Sequence, residues 1–460
     1  MPFAIERNAA SPRKEVCPRR FGLNYSAMIR ATLTALVFCA AALAQQPDPQ
    51  LAAYIDTIQA IDNHAHVFAL DIPDDKGYDA LRCEELPPSV GPDPANFRFG
   101  EATKLAWQAL YGVEPASSEE ADLIRPQMLA KIEQQQGDKL YDWLLDKAGV
   151  QAVLANRVSM TPGLKPPHFL WVPYDDALLF PLNNDGLKKA NPDRASLFAQ
   201  EDQVRATYFR QSGVTGPPPT LDGYLAKVVR PTLERQKQAG AIAIKFEAAY
   251  LRSLHFERAS PDAATAIYAR SLDGPPPGPA DYKILQDFLF HEIALEAGHL
   301  GLAVHIHTGE GGGSYFNVAG SNPMLLEPLL DDPSLRRTNF VFLHGGWPFE
   351  RQLTALFTKP NVYADFSAQD LLQYPAELSK TIRAWLEYVP EKALFATDAY
   401  PYSAEAGWEE TGYIAAATGR QALAIALTGM LRDGEVNRAR ASELARMVLR
   451  DNARALYKLK

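Results

Sequence analysis

Cysteine is scarce in this chain, with three residues in 460, at positions 17, 39 and 83. Basic charge is in deficit too, because 46 Lys and Arg face 55 Asp and Glu for a formal net charge of -9. With no basic stripe to displace phosphate counterions, nucleic acid is excluded as a partner and a polyanion is a poor substrate. The chain also lacks a membrane-length hydrophobic run near its start. The stretch Ala31–Ala44 falls short of the roughly 20 apolar residues that span a bilayer.

That short run has a different meaning. Arg7, Arg13, Lys14, Arg19, Arg20 and Arg30 precede it, and Ala42-Leu43-Ala44 closes it before Gln45. A positive flank, a brief apolar stretch and a small-x-small end read as a signal peptide over residues 1–44, with Met28 as a second candidate start. The expected location is therefore periplasmic or secreted, with no membrane attachment after cleavage. Removal of residues 1–44 takes Cys17 and Cys39 with it, so Cys83 is left alone and no intramolecular disulfide can form.

The remainder, 45–460, is ordinary globular material, 47% hydrophobic and 22% charged over the whole chain. Short β-branched or aromatic runs recur at Ala60–His64, Val150–Ala155, Phe169–Val172 (with a continuation towards Phe180), Ala241–Glu247, Leu302–His307, Asn339–His344, Asn361–Asp365 and Ala393–Asp398. Helical periodicity separates most of them, at 221–238, 282–297, 323–330, 350–357 and 375–388. Eight alternating strand and helix units predict a parallel (β/α)8 TIM barrel. A proline-rich and then helical excursion at about 69–147, with Pro73, Pro87, Pro88, Pro92 and Pro94, reads as an insertion after strand 1 in which 101–111 and 117–147 are helical. Residues 410–460 read as C-terminal helices broken at Gly419, Gly429 and Gly434, packed on the barrel exterior.

Four of the strands share one design: an apolar run, then a metal-capable side chain, then a turn-former. They end in His64-Ala65-His66, His305-Ile306-His307-Thr308-Gly309, His344-Gly345-Gly346 and Asp398-Ala399-Tyr400-Pro401. Histidines at i and i+2 of an extended segment lie on one face and can share an ion. Taken singly, each of these side chains also fits a strand-end cap or a satisfied core histidine. Together they supply the three to four His and carboxylate ligands of a catalytic site for one divalent ion, zinc first, with manganese or iron as alternatives. His64, His66, His307 and Asp398 form that set, with His344 in reserve.

This ordered set resembles the amidohydrolase superfamily, in particular its amidohydrolase-related branch of metal-dependent TIM-barrel hydrolases and decarboxylases, from about Ile61 to Tyr457. The resemblance implies that His64, His66 and His307 bind metal, that His344 binds metal or polarises substrate, and that Asp398 binds metal and takes a proton from water. His305 shares a face with His307, and spacing alone does not choose between them. Lys245 lies where some members carry a carboxylated lysine between two metals, and Glu247 faces the same way. An ordinary Lys245, paired with Glu247 or with a substrate carboxylate, fits a single metal. Arg157 and Arg252, just beyond strands 2 and 4, are candidate substrate anchors, since guanidinium forks suit carboxylates.

The expected function is that of a secreted hydrolase of a small carbonyl substrate, an amide, lactone or ester, through metal-activated water. Non-oxidative decarboxylation of an aromatic or enol-type acid is the competing chemistry, and a non-catalytic binding protein on the same fold is a third reading. The partner expected is a small molecule, and self-association into a homo-oligomer is left open.

Overall fold

The computed structural model describes residues 46–460 except 71, 73, 74, 76, 78, 83–85, 87–97, 404 and 405. The expected signal peptide, all three cysteines and the prolines at 73, 87, 88, 92 and 94 lie outside the described residues.

Eight short strands form among the described residues: β1 (Ala60–Ala65), β2 (Val150–Asn156), β3 (Phe169–Val172), β4 (Ala243–Phe246), β5 (Ala303–His307), β6 (Phe340–Leu343), β7 (Val362–Asp365) and β8 (Ala393–Leu394). All ladders are parallel, in the orders β1-β2-β3 and β4-β5-β6-β7-β8. Backbone hydrogen bonds join the two sheets at both seams. Lys245 N donates to Pro173 O at 2.8 Å and Asp175 N to Lys245 O at 3.0 Å. On the other side, Asn63 N donates to Phe395 O at 3.0 Å, Asp398 N to His64 O at 2.8 Å and His66 N to Ala399 O at 2.7 Å. The strands therefore run in sequence order around a ring, as expected for a (β/α)8 barrel.

Alternate residues of these strands fill the interior. Ile61, Leu154, Val172, Ala243, Ala303, Val341, Leu343 and Leu394 make one buried cluster, and Ala453, Leu456, Tyr457 and Leu459 pack into it. The C-terminal segment thus plugs the barrel as well as crossing its exterior. Polar residues replace these apolar ones at the carboxyl ends of the strands. There the ring opens to loops, which is where catalytic groups of this architecture sit.

Several boundaries differ from the sequence pattern. The 117–147 stretch is two helices, Ser118–Gln136 and Leu140–Ala148, because Gly137 takes φ 53° and turns the chain. The helix Trp408–Arg432 runs through Gly419 and Gly429 without a break, and the chain turns only at Gly434, with φ 75°. Both interior glycines sit where close packing matters: a Cβ at 419 would meet Phe366 and Phe395 at 3.1 and 3.2 Å. By length and composition this helix could cross a membrane, but 67% of its apolar window is buried inside the protein. It packs on helices Pro375–Tyr388 and Arg98–Tyr111. The run after β3 is a 3-10 turn at Asp176–Leu179. Residues 323–330 form short turns rather than one helix.

Candidate metal centre

The seam that closes the barrel also assembles the site. The hydrogen bonds from Asp398 N to His64 O and from His66 N to Ala399 O lay the end of β8 against the end of β1. Asp398 then turns inward on a left-handed backbone, φ 53°. Asp tolerates that conformation better than most residues, and such strain is concentrated at functional positions. His64 Nε2 lies 2.9 Å and His66 Nε2 3.5 Å from Asp398 Oδ1. One ligand atom from each of the three residues falls within 4.8 Å of the other two. Two imidazole nitrogens and a carboxylate oxygen converging this closely suit a divalent ion at bond lengths of about 2.0 to 2.2 Å.

The surroundings treat the two imidazoles differently, keeping His64 neutral and His66 protonated until an ion displaces its proton. Burial, then the nearby Lys245 ammonium, pushes His64 well below the usual histidine range. Asn156 Nδ2 reaches His64 Nδ1, while the buried Asn156 Oδ1 has no partner. Turning the amide over lets Oδ1 accept from Nδ1–H and leaves the Nε2 lone pair facing Asp398, the tautomer a metal needs. Burial opposes charge on His66, but Asp79, Asp398 and Glu247 overcome it and hold His66 up at about 9. Asp398 itself is pushed up to about 7, chiefly by burial.

His307 and His344 lie beside this triad rather than in it. His344 Nδ1 is 3.8 Å from Asp398 Oδ2, and its Nε2 is 3.0 Å from His307 Nδ1. His307 Nε2 is 3.0 Å from the Glu310 carbonyl oxygen, and Ser367 Oγ is 2.9 Å from His344 Nδ1. A consistent assignment has His307 Nε2–H donating to Glu310 O and His344 Nε2–H donating to His307 Nδ1. His307 therefore spends both nitrogens on protein groups, one step outside the close cluster. His344 has left-handed backbone, φ 61°, followed by Gly345 and Gly346 at φ 56° and 66°. Gly309 is required after Thr308, because at φ 85° a Cβ would strike the Trp347 carbonyl.

His305 parts company with His307 although they share a face. Its Nε2 is 2.7 Å from Tyr457 Oη, whose hydroxyl donates to Asn63 Oδ1 at 2.5 Å, so it belongs to the C-terminal plug. Lys245 is fully buried, with Nζ 3.3 Å from Glu247 Oε1 and 3.5 Å from His64 Nε2.

The two arginines have occupations other than substrate. Arg157 is buried and donates to Val67 O at 2.7 Å, Ser159 O at 2.9 Å and Asp75 Oδ1 at 2.8 Å. Arg252 donates to Asp287 Oδ1 at 2.7 Å, Gln286 Oε1 at 3.1 Å and the carbonyls of Ser253 and His255. The sequence placed both at strand ends, but the residue facing inward at the end of β2 is Asn156, two beyond Leu154. Parity along the strand was the available signal. Asp79, whose Oδ2 lies 3.0 Å from His66 Nδ1, gave no signal at all, coming from an irregular loop.

Residues 220–459 match the family model described as amidohydrolase. No curated protein matches the chain. Similar solved structures include the following three. A Lactobacillus casei ATCC 334 protein provisionally described as a metal-dependent hydrolase aligns at 16% identity over 90% of this chain and 98% of its own, with TM-score 0.59. Uronate isomerase from Thermotoga maritima aligns at 15% over 89% and 96%, TM-score 0.53. Glucuronate isomerase from Caulobacter crescentus aligns at 14% over 89% and 93%, TM-score 0.50. At these identities the structures bear on fold alone. The family model covers just over half of the chain, including β4 to β8 and the turn that carries Asp398, and the chain therefore belongs to the amidohydrolase family of enzymes.

Proposed function

We propose that the protein is a secreted hydrolase of a small amide, lactone or ester, using one divalent ion, zinc in the first instance, held by His64, His66 and Asp398. The convergence of those three side chains at the barrel mouth carries the reading. When bound, such an ion lowers the pKa of water towards about 7 and polarises a carbonyl. Asp398 Oδ2, 3.8 Å from His344 Nδ1, is the oxygen left to collect a proton from attacking water and return it to the leaving group. His344, neutral because burial and then His307 and Lys245 depress its basicity, can polarise the substrate as a hydrogen-bond donor only once its Nε2–H leaves His307. His307 holds His344 in place and is a further ligand only if it gives up that contact. Lys245, paired with Glu247, supports a single ion and stands ready to meet a substrate anion.

The test is product analysis in 18O-labelled water across small amides, lactones, esters, aromatic acids and sugar acids, with metal content measured on the same sample. Solvent oxygen in the product and about one equivalent of metal are expected. Carbon dioxide release without label would establish decarboxylation instead. Rearrangement of a sugar acid without label would establish isomerisation, the activity named for two proteins of similar fold. A metal-free, inactive protein would leave the binding-protein reading. Secretion is tested by the N-terminus of the mature protein, expected at Gln45.

A further inference from the structure

The ring of His66 is held from behind by a residue of the loop that follows β1. Asp79 Oδ2 lies 3.0 Å from His66 Nδ1, and Asp79 Oδ1 accepts from Leu81 N at 3.1 Å, so both carboxylate oxygens are engaged. Only 5% of the Asp79 side chain is exposed. Arg157 and Asp75 fix the loop that brings it there. Besides the 2.8 Å pair between them, Asp75 accepts from Ala69 N at 2.8 Å and Gly77 N at 3.2 Å, and Val158 N donates to Gly77 O at 3.0 Å. A side chain at Gly77 would meet Ser159 Oγ and O at 2.5 and 2.7 Å, so the close approach depends on glycine.

We propose that Asp79 is the positioning residue for His66, keeping the proton on Nδ1 so that Nε2 offers its lone pair to the ion shared with His64 and Asp398, and that the Arg157–Asp75 clamp delivers it. The inference rests on the metal-site reading above. A carboxylate can only accept, so it selects one tautomer and one ring orientation; a partner of this kind typically changes metal affinity 10- to 100-fold. Tyr174 Oη is also 3.0 Å from Nδ1, but a phenol can donate as well as accept and does not impose the tautomer.

Zinc affinity of the full-length, metal-stripped protein, measured by competition with a chromophoric chelator, tests this. Asp79→Ala is expected to bind about 10- to 100-fold more weakly than the native protein. Asp79→Asn, whose amide oxygen still accepts from Nδ1–H, should recover most of that loss, with both metal-free variants folded by far-ultraviolet circular dichroism and lower in Tm, because neither keeps both acceptor bonds of the carboxylate. If Asp79→Ala does not fold, Asp79→Leu, similar in breadth but without an acceptor, takes its place in the comparison. Native affinity in the acceptor-free variant, or equal weakening in it and in Asp79→Asn, would overturn the inference. A native protein that binds no zinc, manganese or iron(II) would instead sink the metal-site reading beneath it.

Discussion

At the scale of single residues, Asp398 carries the most because three of its relationships are set independently. Its backbone is fixed by β1, its Oδ1 faces two imidazoles, and its Oδ2 faces His344. Asp398→Asn should leave far-ultraviolet circular dichroism and Tm close to native, because Asn also tolerates a left-handed backbone. Turnover should fall by at least about 10²- to 10⁴-fold, since an amide cannot take the proton from water. His64→Ala and His66→Ala should lose metal together with activity, measured by elemental analysis after gel filtration.

Among elements, a buried ion cluster is one of the contacts that tie the insertion to the barrel. Arg125, on helix Ser118–Gln136, pairs with Glu409 and Glu410 in the first turn of helix Trp408–Arg432, where both carboxylates are fully buried and Tyr111 also bonds Glu410. Burial, then the neighbouring Glu409, pushes Glu410 up to about 7, so the arginine is what keeps two adjacent acids tolerable. Arg125→Ala leaves them unpaired and should cost about 3–5 kcal/mol, read as a lower urea midpoint. A surface ion pair such as Lys380–Glu377 should cost under about 1 kcal/mol in the same assay. At the opposite end of the barrel, Tyr457→Phe removes the partner of both His305 Nε2 and Asn63 Oδ1. A loss of about 1–3 kcal/mol is expected, without change in metal content.

For the molecule as a whole, the site contributes to the dependence of stability on pH. The folded, metal-free protein holds His66 as imidazolium up to about 9, against an ordinary value of 6.5. Its stabilising contribution is therefore complete below about 6.5 and is lost as pH rises through about 9. Burial likewise raises Asp62, Asp175 and Asp398 to about 7, and their protonated forms lose their contribution just below that window. Urea midpoints of the metal-stripped protein should fall from pH 7 to pH 9, and His66→Gln should flatten the upper part of that slope. Zinc affinity should rise over the same interval, because binding must displace the His66 proton.

The sequence by itself determined the eight-strand alternation and the strand ends that carry His64, His66 and Asp398, because continuous apolar runs, turn-formers and i, i+2 parity are local properties. It also determined that His305 and His307 share a face, yet it had no means to separate them. Tyr457 decided that, arriving from the far end of the chain to take His305 into the plug. Tertiary structure likewise set His307 behind His344, turned Arg157 into a clamp on its own loop and brought Asp79 from an aperiodic segment onto His66. Each of these outcomes depends on which groups distant in sequence satisfy a buried donor or acceptor. No local period encodes that, whereas closure of the ring fixes it once β8 meets β1.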